Sequence, residues 1–97
     1  MEYIIYKTDK QINLPSRNYF TKGDSGEDIG IISTFLTTNF MGFESKTNVK
    51  IDDVIGFYFG KNLEVWIKEF QRNTGLEIDG NIGPKTLAKL REFGLKA

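Results

Sequence analysis

Two stretches of this chain repeat one another at an offset of 23 residues, and that repeat restricts the possible folds more than any other feature. Gly60 falls on Gly83, Phe59 on Ile82, Ile67 on Leu90, Lys68 on Arg91, Glu69 on Glu92 and Phe70 on Phe93. Each copy reads as a turn followed by an amphipathic helix. In the first, Leu63, Trp66, Ile67 and Phe70 stand at i, i+3, i+4 and i+7, which is one stripe of a helix. Asn62 suits the cap, Glu64 suits the positive end of the helix dipole, and Gly75 suits the stop. In the second, Gly83-Pro84 opens a helix with a proline pre-set for the first turn. Leu87, Leu90 and Phe93 form its stripe, and Gly94 ends it.

Two such units alone leave apolar surface wet, so a third helix is needed to cover them. Asp24-Ser25 announces one, with Asp28 three residues on as a weaker capping-box partner. Ile29, Ile32, Leu36 and Phe40 then recur at helical spacing, with Phe35 beside them, to about Asn39, and Gly42 follows as terminator. The polar stretch from Glu44 to Asp53 predicts a connection with a short extended piece at Val49 and Ile51. Residues 1–21 read as an extended N-terminal arm or linker with a short strand at Tyr3-Ile4-Ile5-Tyr6, and residues 22–97 as the domain. The expectation is a mainly α, compact three-helix fold with an internal turn–helix repeat.

Composition narrows the function. Ninety-seven residues, 39% of them hydrophobic, suffice for one domain with a modest core. Lys plus Arg and Asp plus Glu both number 13, which leaves no basic excess for phosphates or anionic lipid. Neither nucleic acid nor a membrane is expected as partner. The chain has no Cys and no His, which removes thiol nucleophiles, imidazole bases and nearly every transition-metal site, so no metal or cofactor is expected. Glycoside hydrolysis needs two carboxylates flanking a cleft, whereas Asp52-Asp53 and Glu77 with Asp79 fall in turn-like segments. Binding is therefore expected, not catalysis. The first residues lack a signal-peptide pattern, and no segment nears the ~20 apolar residues of a membrane span. Either export takes another route or the chain belongs to a longer protein.

The stretch from Phe70 to Leu90 has a local logic. The helix ends at Gly75, Leu76 folds back, Asp79-Gly80 makes a tight turn, Ile82 plugs inward, and Gly83-Pro84 launches the next helix. Phe70-Gln71, Gly75-Leu76, Asp79-Gly80, Gly83-Pro84, Thr86 and Leu90 together resemble the peptidoglycan-binding domain of bacterial and phage cell-wall hydrolases. The resemblance covers roughly residues 22–94, and the segment Gly23 to Ile29 is similar to that family's entry into its first helix. The chain departs from the family where Gly56-Phe57 stands in place of another Asp-Gly, Lys61 in place of Pro and Leu63 in place of Thr. The loop between the first two helices is also longer and more polar than in the family.

The resemblance implies a non-catalytic module that holds an attached lytic enzyme, a phage endolysin or bacterial autolysin, at the wall. Its partners would be peptidoglycan, through glycan or stem peptide, and a hydrolase domain in the same polypeptide. The alternative is a structural or regulatory module of the same fold without wall binding. Asp79, Gly80, Gly83, Pro84 and Thr86 read as architecture. Candidates for ligand contact are residues the fold does not demand. The run Phe57-Tyr58-Phe59 cannot all point inward, so Tyr58 or Phe57 should be exposed and suit a sugar face. Asn62, Gln71, Arg72 and Asn73 offer hydrogen bonds, Arg72 to a stem-peptide carboxylate. Trp66 belongs to the buried stripe, yet its indole could reach the rim.

Overall fold

The computed structural model describes residues 18–96, so the strand expected near Tyr3 lies outside the described residues. Five helices follow in order: α1 (Glu27–Asn39), α2 (Phe43–Thr47), α3 (Ile51–Val54), α4 (Lys61–Thr74) and α5 (Pro84–Glu92). The three longer ones are the predicted helices. Trp66, Phe70, Ile29, Ile32, Leu36, Leu63, Ile67, Leu87 and Leu90 all lie within the core. Each large apolar side chain so buried contributes roughly 1.5–3 kcal/mol relative to exposure.

The repeat holds at the level of backbone. Gly60 and Gly83 cap α4 and α5 with nearly the same dihedrals, φ −106°, ψ −167° and φ −97°, ψ −171°. Phe59 and Ile82, which precede them, are both completely buried. A single strap, residues 20–26, bent by a turn in which the Asp24 N–H bonds the Thr21 carbonyl at 3.0 Å, ties the two copies together. Phe20 and Ile82 exchange backbone hydrogen bonds of 2.8 and 2.9 Å. Further along, Gly23 N–H donates to the Phe59 carbonyl, Phe59 N–H to the Asp24 carbonyl, and Gly26 N–H to the Phe57 carbonyl, each at 2.8 Å. Phe20, read from sequence as part of the arm, is therefore a core residue of the packed unit, with no exposure.

Several local expectations are corrected. The helix expected near Asp24 begins at Glu27 with Gly26 at its cap, and no side chain caps it. Asp24 instead accepts the Thr21 N–H at 2.9 Å, and Ser25 pairs with Tyr58 across the strap. Asn62 lies inside the first turn of α4 and does not cap it; Gly60 takes that place. The connection expected to carry a short extended piece at Val49 and Ile51 holds α2 and α3, with Ile51 as the first residue of α3 and Val49 beside an extended Lys50 between the two helices. Burial of Phe43 and Val54 draws these turns onto α4, and the Glu44 carboxylate accepts the free Ile51 N–H at 3.0 Å. Phe93 was expected on the buried stripe, but α5 stops at Glu92 and leaves Phe93 51% exposed. Its ring still meets Phe40 and Phe70 edge-on at 5.5 and 5.9 Å. After Gly94, at φ +119°, Leu95 turns back into the core, its N–H bonded to the Leu90 carbonyl.

Candidate ligand-binding surface

Within the motif, Asp79, Gly80 and Thr86 converge with Asn81 on one buried amide, that of Gln71. Gln71 is 1% exposed. Its Nε2 donates toward Asp79 Oδ1 at 3.0 Å, the Asn81 carbonyl at 2.9 Å and Thr86 Oγ1 at 3.1 Å. Its Oε1 accepts the N–H groups of Asp79 and Gly80 at 3.1 and 2.9 Å. Gly80 takes φ +79°, a conformation that side chains resist. Asp79 Oδ1 also accepts the Asn81 N–H, closing the turn on itself. Gln71 was expected among ligand contacts; the structure assigns its hydrogen bonds to this turn.

A comparable pin fixes the turn before α4. Ser33 of α1, fully buried, donates to the Gly56 carbonyl at 2.9 Å and accepts the Gly56 N–H at 3.1 Å. Gly56, at φ +152°, then releases Phe57 and Tyr58 outward, at 66% and 61% exposure. Phe57 lies over Gly30 of α1, so closely that a Cβ there would come within 2.5 Å of its ring. Tyr58 lies over Gly60 in the same way, at 3.1 Å. These aromatics, with Asp53, Lys61 and Asn62, line an open groove of about 370 Å³ along residues 53–63. The groove thus offers two ring faces, a carboxylate, an ammonium and an amide within one fixed frame.

The other sequence candidates do not join this groove. Trp66 is fully buried, and its Nε1–H is bound to the Val49 carbonyl at 3.0 Å, so its indole does not reach the rim. Arg72 and Asn73 are both engaged by Glu69. The guanidinium meets Glu69 Oε1 at 2.6 Å, and the Asn73 amide meets Glu69 Oε2 at 2.8 Å and the Glu69 carbonyl at 2.7 Å. Arg72 lines a separate depression with Lys46, Val65 and Lys68. Two residues missed from sequence are Lys61, which joins the aromatic groove, and Tyr19. Tyr19 is 50% exposed and borders a further groove of about 340 Å³ with Glu77, Asp79, Asn81 and Lys85.

Residues 25–90 match the family described as "Putative peptidoglycan binding domain". The chain belongs to this peptidoglycan-binding domain family. Two solved structures are similar to it. One is a peptidoglycan-binding protein from Clostridioides difficile in complex with glutamine hydroxamate, 33% identical with a TM-score of 0.55. That match covers 74% of this chain but 39% of the other, so the chain spans well under half of that protein. The second is the SleB N-terminal domain, 28% identical with a TM-score of 0.56, covering 77% of this chain and 90% of that one. No curated protein matches the chain. The mainly helical fold with its turn–helix repeat is thus that of peptidoglycan-binding domains, and binding is the activity the family carries.

Proposed function

We propose that this domain binds bacterial cell-wall peptidoglycan without catalysis and holds an attached lytic enzyme, an endolysin or autolysin, at the wall on its extracellular side. The family match over residues 25–90 carries the reading, and the exposed Phe57–Tyr58 groove supports it. The ring of Tyr58 suits the apolar face of a sugar, with Asn62 beside it for hydroxyls and Lys61 for a stem-peptide carboxylate. Asp79, one of the carboxylates weighed above for catalysis, is tied to Gln71 and Asn81. Weak binding of this kind raises the local concentration of a tethered catalytic domain near its bonds.

Retention on purified sacculi tests the reading. The folded domain should co-sediment, and Tyr58→Ala should weaken retention at least about five-fold with its melting temperature unchanged, as removal of one ring contact worth on the order of 1 kcal/mol implies. A folded domain that stays wholly in the supernatant would favour a structural or regulatory module of the same fold.

A further inference from the structure

The repeat sets a groove beside each of its two helices, although the two tyrosines come from different places. Tyr58 belongs to the repeat itself, with Asn81 at its station in the second copy, and Tyr19 to the segment that leads into the strap. The wall of the Tyr19 groove runs through residues 76–86, and that of the Tyr58 groove through residues 53–63. These are the same stations of the repeat at its 23-residue offset. In each, a turn pinned by a buried polar side chain of a preceding helix leads to a glycine that caps the next helix. An exposed tyrosine lies against that glycine in both. A Cβ on Gly83 would come 3.5 Å from the Tyr19 ring, as one on Gly60 would come 3.1 Å from Tyr58. Each tyrosine is followed by a fully buried phenylalanine, Phe20 and Phe59, whose backbone bonds the other copy or the strap. Both grooves are lined by a lysine and by carboxylates, Lys85 with Glu77 and Asp79 in one and Lys61 with Asp53 in the other.

We propose that the domain carries two subsites for one polymer, and that the Tyr19 groove takes a second unit of the same peptidoglycan strand that occupies the Tyr58 groove. This rests on the wall-binding reading above. A ligand that presents a sugar face and a peptide bearing both charges matches each groove, and a ligand that repeats them matches the pair. One short strap pairs with Ile82 at Phe20 and with Tyr58 at Ser25, so the walls of both grooves are bonded to the same segment. Walls joined in this way make the second contact intramolecular, with no linker entropy to offset it.

Titration of the isotope-labelled protein with a soluble disaccharide–tetrapeptide released from sacculi tests this by NMR. Two separate clusters of shifts are expected, one around Tyr19, Asn81 and Lys85 and one around Tyr58 and Asn62, at two fragments per domain. Tyr19→Ala should weaken the first cluster alone and lower retention on intact sacculi about five-fold, the same loss of one ring contact expected for Tyr58→Ala. Tyr19→Phe, which keeps the ring, should preserve both and controls for folding. A single cluster at Tyr58, or sacculus retention indifferent to Tyr19→Ala, would overturn the second subsite while leaving wall binding intact. Absence of both clusters and of retention would remove the two proposals together.

Discussion

Replacing Gln71 with Leu is expected to be the most destabilising near-isosteric change in the domain. Leucine is close to glutamine in size, so cavity formation contributes little and the cost falls on hydrogen bonding. The substitution strands the buried Gly80 N–H and the Thr86 hydroxyl, which is 4% exposed. Asp79 N–H and the Asn81 carbonyl are only partly buried and regain water. Each buried orphan costs about 1–3 kcal/mol, and relief from burying the amide itself returns part of that. The net loss should be about 2–4 kcal/mol, or roughly 10–30 °C in melting temperature for a domain of this size. Urea unfolding followed by helical circular dichroism measures it, with an unchanged slope showing that the native state stays compact. Hydrogen exchange at the Gly80 amide should accelerate beyond the change in global stability. Lys85→Ala, exposed on the first turn of α5, serves as control and should change stability by less than about 0.5 kcal/mol. If Gln71→Leu costs no more than that control, the amide does not organise the turn and the reasoning fails.

Two glycines extend the argument in opposite directions. Gly30→Ala should stabilise α1 by up to ~1 kcal/mol through helix propensity while pushing the exposed Phe57 ring aside, so the melting temperature should hold or rise as sacculus retention falls. A matched fall in both would mean that the ring packs for stability alone. Gly80→Ala should cost about 1–2 kcal/mol, because its φ of +79° disfavours a Cβ and that Cβ would crowd Glu64 and Lys68 at 3.0 Å. Gly80→Asn should cost less in the same thermal melts, since asparagine tolerates that conformation, and equal losses would point to crowding as the cause.

What could be read from sequence was what local chemistry dictates. The α4 stripe, the Gly75 stop and the Gly83-Pro84 launch depend on neighbours within one or two turns, and each stands where expected. Helices of five and four residues, such as α2 and α3, have no room to display a period, so their polar sequence passed for an extended loop. The caps misled because Ser25 and Asn62 are good capping residues, yet Ser25 pairs with Tyr58 in the strap and the helices start at Gly26 and Gly60. Exposure of Phe57 and Tyr58 followed from counting, since three adjacent aromatics cannot share one interior. Gln71 and Trp66 could not be placed that way. Their partners lie eight to seventeen residues away, and only tertiary packing brings them into range. Tyr19 was hidden by the assumption that the chain before residue 22 is an arm. The recurrence of Tyr-Phe at 19–20 and 58–59 was the signal available.

The same division separates architecture from recognition. At each station of the repeat, the residue that faces inward is fixed by the fold: Phe59 and Ile82 fill the core, and Gly60 and Gly83 start helices. The stations that line the grooves differ between copies, Tyr58 against Asn81 and Asn62 against Lys85, and Asn81 accepts the Thr21 hydroxyl at 2.7 Å. Ser33 and Gln71 hold the turns from below, so these residues need no help from one another to keep their positions. A frame anchored in this way lets the exposed side chains vary toward different wall chemistries at small cost in stability, since changes at exposed sites usually stay within about 0.5 kcal/mol.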